Sequence, residues 1–190
     1  MKNVILMALL CMGFFSAQAQ NEFTIQGKVK GLKDGTVVTL FRTEGNVGSS
    51  IANDTVKNES FFFKEKAEDQ EIGKYSISCY GAEGFPPMGL DIWAAPGATL
   101  NISGNNTYIY TWKVKSPVEQ QKVRSGFVDS SRELWNEFQK TVLEYYKSMD
   151  AMYAGNLNEE QKKSLRTRCD SLRYVQYEIN LKIDTRTSER

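Results

Sequence analysis

The chain reads as an α+β protein: an antiparallel β-sandwich, or a partly open barrel, followed by a long α-helical hairpin. Two observations predict this. Between residues 22 and 115 apolar and polar positions alternate in short runs separated by Gly, Asn, Asp or Pro. From Ser116 onward the apolar spacing lengthens to three and four, the period of a helix face. No helical period breaks up the first segment, which argues against a parallel sheet built from β-α-β units.

The alternation gives about eight short strands. Phe23–Lys30 places Phe23, Ile25 and Val29 on one face. Lys33-Asp34-Gly35 forms a turn, and the β-branched run Thr36–Arg42 follows it. Further strands are expected at Ile51–Lys57, Ser60–Lys66, Lys74–Tyr80, Met88–Ala94, Thr99–Ser103 and Ile109–Lys115. Gly81–Pro87, Pro96-Gly97 and Gly104-Asn105-Asn106 punctuate them. Pro96-Gly97 suits the centre of a type II turn, where the second residue takes a positive φ.

Ser116-Pro117-Val118-Glu119 resembles a helix start, with a capping Ser before a Pro at the first helical position. Trp135, Phe138, Val142, Tyr145, Met149 and Met152 then form a seam spaced 3-4-3-4-3. Gly155 is placed to end that helix, and Asn158 with Gln161 forms a capping box for the next. The second helix carries Leu165, Cys169, Leu172, Ile179 and Ile183, with Gln176 as a polar interruption. Two seams joined by a short loop predict an antiparallel hairpin.

The N-terminus sets the compartment. Lys2, the apolar run Val4–Phe15 and Ser16-Ala17-Gln18-Ala19 make a secretory signal peptide, cut after Ala19. The run is too short to span a membrane. The rival reading, a lipoprotein signal acylated at Cys11, fits less well, because Leu10 stands where a small residue is needed. The division is therefore signal peptide 1–19, β-domain 20–115 and helical hairpin 116–190, with export to the periplasm or outer cell envelope. Cleavage removes Lys2 and leaves 23 basic residues against 23 acidic ones. A neutral chain gives no electrostatic basis for binding nucleic acid or an anionic membrane.

The chain contains no histidine, which excludes Ser-His-Asp and Cys-His catalysis and removes the commonest zinc ligand. Cys79 and Cys169, 90 positions apart, remain after cleavage, and neither belongs to a Cys-x-x-Cys. No cofactor is implied. Each cysteine falls on an apolar face, Cys79 beside Tyr75 and Ile77 and Cys169 beside Leu165 and Leu172, where burial is the default. A Cys79–Cys169 disulfide stays open, since the compartment permits it and the spacing does not demand it.

An ordered set of segments carries a resemblance. It comprises Phe23–Leu40, Asn53-Asp54-Thr55-Val56, Phe61-Phe62-Phe63, Ala95–Gly104 and Lys115–Gln120. This set resembles the domain of unknown function at the N-terminus of exported thioredoxin-like thiol-disulfide oxidoreductases (the AhpC/TSA and TlpA/ResA type) of Gram-negative bacteria. The resemblance covers residues 20 to 185. In that family a similar helical stretch leads into a thioredoxin domain bearing the Cys-x-x-Cys. This chain stops where that domain would begin, so no catalytic residue carries over. The resemblance implies a non-catalytic accessory domain with a thioredoxin-like partner. The polar end Thr185–Arg190, without a stop signal, reads as a fragment or a shortened product.

Three further groups stand out. Trp135, Phe138, Tyr145, Tyr146 and Met149 would give the hairpin a docking or dimer surface. Tyr108, Tyr110 and Trp112 alternate along an expected strand, where they would join the sheet core or stack a ligand. Trp93 and Phe85-Pro86-Pro87 would form a pocket mouth. The alternative function is accordingly a small-ligand-binding sandwich, with a pocket lined by aromatics such as Trp93 or Trp112. Asp54 and Asp91 are acids in strand context, read as surface or turn groups rather than an acid–base pair.

Overall fold

The computed structural model describes residues 21–45, 47–67, 71–80, 82–86, 89–153 and 155–188. The expected signal peptide, with Cys11 and Ala19, lies outside the described residues, as do Pro87 and Met88.

Eight strands form two open four-stranded sheets, followed by three helices. The strands are β1 (Glu22–Val29), β2 (Val37–Glu44), β3 (Val47–Thr55), β4 (Ser60–Lys66), β5 (Gly73–Ser78), β6 (Leu90–Ala94), β7 (Thr99–Gly104) and β8 (Lys113–Lys115). The first sheet has the order β4-β1-β7-β8 and the second β3-β2-β5-β6. Neighbours run antiparallel except β1 and β7, which pair in parallel from Thr24 opposite Thr99 to Val29 opposite Gly104.

The alternation does what the sequence predicts. Phe23, Ile25 and Val29 are fully buried, in one core with Leu100 of the same sheet and Val38, Leu40, Ile77 and Ile92 of the second sheet. Phe23 of the first sheet meets Tyr75 of the second with ring centroids 4.7 Å apart. Gly97 has φ +75° and Ala98 N–H donates to Ala95 C=O at 3.0 Å, as a turn at Pro96-Gly97 requires. The β3–β4 connection turns through Asn58 and Glu59, both at positive φ. It is held from three sides: Asp34 accepts from Asn58 N–H, Glu59 accepts from Gly31 N–H, and Lys28 donates to the Asn58 carbonyl.

Four local expectations are corrected. Ile109–Lys115 is not one strand: Ile109–Thr111 is a 3-10 turn and only Lys113–Lys115 pairs, with β7. β3 starts four residues before the expected Ile51. It is an edge strand, exposed on both faces through Val47–Ile51, so it carries no hydrophobic alternation. The helical segment has three members: α1 (Glu119–Ser130), α2 (Arg132–Tyr153) and α3 (Glu159–Ser188). Val118 occupies the N-cap of α1 without a side-chain bond, while the Ser116 hydroxyl accepts from Val118 N–H, making a turn before the helix rather than a cap on it.

The hairpin is formed by α2 and α3, which pack on each other. Asn158 N–H donates to Gln161 Oε1 at 3.0 Å and Gln161 N–H donates to Asn158 Oδ1 at 2.8 Å, the reciprocal capping box. Cys169, Ile179 and Ile183 are buried on the α3 seam, and Val142 on that of α2. Arg168 bridges Glu144 at 3.2 Å, and Arg186 pairs with Glu133. Among the described residues no helix is long and apolar enough to cross a membrane.

Gly27 of β1 lies under the Phe61 ring. A Cβ built there would come within 2.1 Å of Phe61 Cζ, inside any van der Waals contact. Because Phe61 is itself buried among core residues, the ring has little room to yield. Gly27→Ala is therefore expected to destabilise the domain by about 1–3 kcal/mol, read as a lower denaturant midpoint at unchanged slope. A shift below about 0.5 kcal/mol would contradict this packing.

Candidate functional site

The helices are fixed to the sandwich by two buried amides. β6 is an edge strand, so its outward N–H groups have no neighbouring strand. Gln121 of α1, 1% exposed, accepts from Trp93 N–H through Oε1 at 2.9 Å. Its Nε2 donates to the Ser125 hydroxyl, which donates in turn to the Val114 carbonyl of β8. Thus α1 ties an edge of one sheet to an edge of the other. Gln139 of α2, fully buried, accepts from Tyr110 N–H at 3.1 Å and donates to the Thr107 carbonyl at 3.3 Å. Arg132 donates to the Thr111 carbonyl and pairs with Asp129.

This docking encloses a cleft of about 620 Å3 between the outer face of the second sheet and the helices. Phe41, Tyr80, Leu90 and Phe138 give it an apolar wall, and Thr43, Ser76 and Ser78 add hydroxyls. Arg124, Tyr110, Trp135 and Asp91 complete it. Gly89 also lines it, and a Cβ there would sit 2.4 Å from the Ile77 carbonyl oxygen, so the wall tolerates no larger residue.

Three of these residues carry a buried polar atom without a hydrogen-bond partner: Arg124 Nε, Tyr110 Oη and Trp135 Nε1. Each can donate, and the arginine and indole groups can only donate. Asp91 is held by Lys74 at 3.1 Å. Burial pushes the Tyr110 phenol upward, with Tyr146 and Asp91 adding to it, so the hydroxyl keeps its proton. Burial pushes the Arg124 guanidinium down and the charge of Asp91 opposes this. The guanidinium lies over the rings of Phe127 and Trp135, 5.1 and 5.4 Å from their centroids.

The aromatic stripe expected on a strand is split by the 3-10 turn. Trp112 enters the sandwich core against Phe61 and Phe85, Tyr110 turns to Trp135 and Phe138, and Tyr108 lies under Lys140. Phe85 and Trp93 do not share a pocket mouth: Phe85 packs on Trp112, while Trp93 lines a groove beside Val123 and Phe127 of α1. Of the expected hairpin surface, Trp135 and Phe138 are engaged by Tyr110 and Phe127, and Tyr145 lies under Arg173 of α3. Met149 is half-buried and Tyr146 is 41% exposed.

Asp54 braces backbone, accepting from Phe62 N–H at 2.7 Å and Thr55 N–H at 2.8 Å. Asp54 and Asp91 line different cavities and form no pair. The thiols of Cys79 and Cys169 are free and buried in the structure. Cys79 belongs to the sandwich core and Cys169 to the helical seam. Among the described residues no group of three or more Cys, Asp or Glu is placed to hold a metal ion.

No protein-family model matches the chain, and no curated protein matches it.

Gln139→Leu should leave the buried Tyr110 N–H and the half-buried Thr107 carbonyl without their partner, costing about 1–3 kcal/mol by chemical denaturation. A neutral result would mean that solvent reaches both groups. Burial raises the Cys79 thiol to about 12, so a disulfide-type thiol reagent at pH 8 is expected to leave it unmodified in the native protein. Both thiols should react in denaturant without reductant, as read by mass spectrometry. A requirement for reductant would show them linked.

Proposed function

We propose that this chain is an exported, non-catalytic interaction module that serves a thioredoxin-like thiol-disulfide oxidoreductase system in the periplasm or outer envelope. The signal-type N-terminus and the ordered segments described above support the setting. The observation that carries the role is on α3. Tyr174, Tyr177 and Leu181 are 65%, 59% and 44% exposed. At about 100° per residue they fall on one stripe of the helix, opposite the seam of Cys169, Leu172, Ile179 and Ile183 that faces the hairpin.

A 30-residue helix with a second apolar stripe on its outer side offers a partner two tyrosines and a leucine without any local unfolding. The sandwich supplies a rigid base. The hairpin carries the stripe away from it, so docking and scaffold are separate functions of separate elements. The outward stripe replaces the Trp135–Met149 face as the surface for docking, since that face is largely used inside the molecule.

The test is binding of the purified chain to an exported thioredoxin-fold oxidoreductase of the same cell, by calorimetry and by light scattering after size exclusion. Association at micromolar concentration is expected. The double variant Tyr174→Ala, Tyr177→Ala should weaken it about tenfold or more, at unchanged thermal stability, because both side chains are exposed. A monomer that binds no such partner would defeat the proposal.

A further inference from the structure

Buried hydrogen-bond donors are rarely left unpaired, because each one costs the desolvation of the group with no bond in return. Here three of them belong to residues that line one cleft: Arg124 Nε, Tyr110 Oη and Trp135 Nε1. The rest of that wall is largely aromatic or aliphatic, with Phe41, Leu90 and Phe138. At about 620 Å3 the cleft is in the range that encloses small organic ligands.

Charge narrows the chemistry further. Arg124 forms no ion pair among the described residues; the charge of Asp91 acts on it, but Asp91 is itself paired with Lys74 at 3.1 Å. The residues that line the cleft thus include one cation, one carboxylate already paired with Lys74, and two neutral donors. Asp91 in the same wall would repel a second negative charge. That disfavours phosphate dianions and favours a single carboxylate. A guanidinium donates to the two oxygens of a carboxylate side by side, and a phenol O–H and an indole N–H suit the remaining lone pairs.

We propose that the cleft between the second sheet and the helices binds a small monocarboxylate with an apolar body, its carboxylate held by Arg124, Tyr110 and Trp135 and its body lying against Phe41, Leu90 and Phe138. This rests on the cleft alone and is independent of the docking role of α3.

The chain has three tryptophans, and each indole N–H gives its own proton–nitrogen correlation in a spectrum of the full folded chain. Trp112 Nε1 already donates to the Asn106 carbonyl at 3.0 Å, inside the core, and its signal reports that the fold is intact. The probes at pH 7 are 3-phenylpropionate, its neutral amide 3-phenylpropionamide, and the dianion phenyl phosphate. Saturable movement of the Trp135 signal by 3-phenylpropionate is expected, with the amide and phenyl phosphate each at least tenfold weaker and the Trp112 signal still. In Arg124→Gln the acid should bind at least tenfold more weakly, and in Tyr110→Phe about threefold or more. Equal binding of acid and amide, tighter binding of phenyl phosphate, or no movement of Trp135 at 10 mM acid (about the weakest affinity worth assigning to a site) would each overturn the proposal. The comparison of acid with amide uses the unaltered chain, so it decides the matter even where a variant fails to fold.

Discussion

The peptide N–H of Trp93 sits on the rim of a sheet with no further strand to receive it, and the oxygen of Gln121 receives it instead. Gln139 does the same for the backbone around Tyr110. These two amides decide how the molecule is put together. A hydrophobic contact alone would let a helix slide or rotate on the sandwich at little cost, because apolar attraction has no direction. An amide whose oxygen is matched to a main-chain N–H, and whose N–H2 is matched to a carbonyl or to a hydroxyl that itself donates to a carbonyl, permits one seating. The seating of α1 and α2 then sets the distance of Arg124, Trp135 and Phe138 from the second sheet, and so the existence of the cleft.

The molecule treats its two interiors differently. Between the sheets the packing is closed: Phe61 packs on Trp112 and Phe23 on Tyr75, and polar groups are scarce. Between sheet and helices the aromatic groups are just as dense, with Tyr110, Trp135, Phe127 and Phe138 in mutual edge or tilted contact. There, however, polar atoms are built in and space is left. The first interior stabilises and the second keeps unsatisfied chemistry in place. The rigidity of the first allows the second, because an open cleft beside a loose core would collapse to bury its own walls.

Much of the fold was legible because burial imposes a period. Phe23, Ile25 and Val29 alternate since one face of β1 is dry, and the α3 seam repeats at three and four since one side meets α2. The features that escaped have no such period. The start of β3 is exposed on both faces. The parallel register of β1 with β7 depends on contacts that local pattern does not encode. Gln121 and Gln139 look like ordinary polar helix residues, and their burial is decided by backbone groups far away in the chain. Arg124 reads as a solvated charge for the same reason. Tyr110 was visible as part of an aromatic stripe, but the 3-10 turn at Ile109–Thr111 sends it to the helices while Trp112 goes to the core. On α3 the seam is legible, while the stripe of Tyr174, Tyr177 and Leu181 behind it has the same spacing and is masked by it.

The place of β1 in its sheet has a consequence for the order of assembly. The earliest strand in the chain is flanked by β4 on one side and by β7 on the other, and the second of these is separated from it by some seventy residues, about as distant a pairing as a domain of this size provides. Until Thr99–Gly104 has emerged, one whole side of β1 has unfilled donors and acceptors. A chain still being made therefore cannot complete its first sheet until nearly all of its β-segment is present.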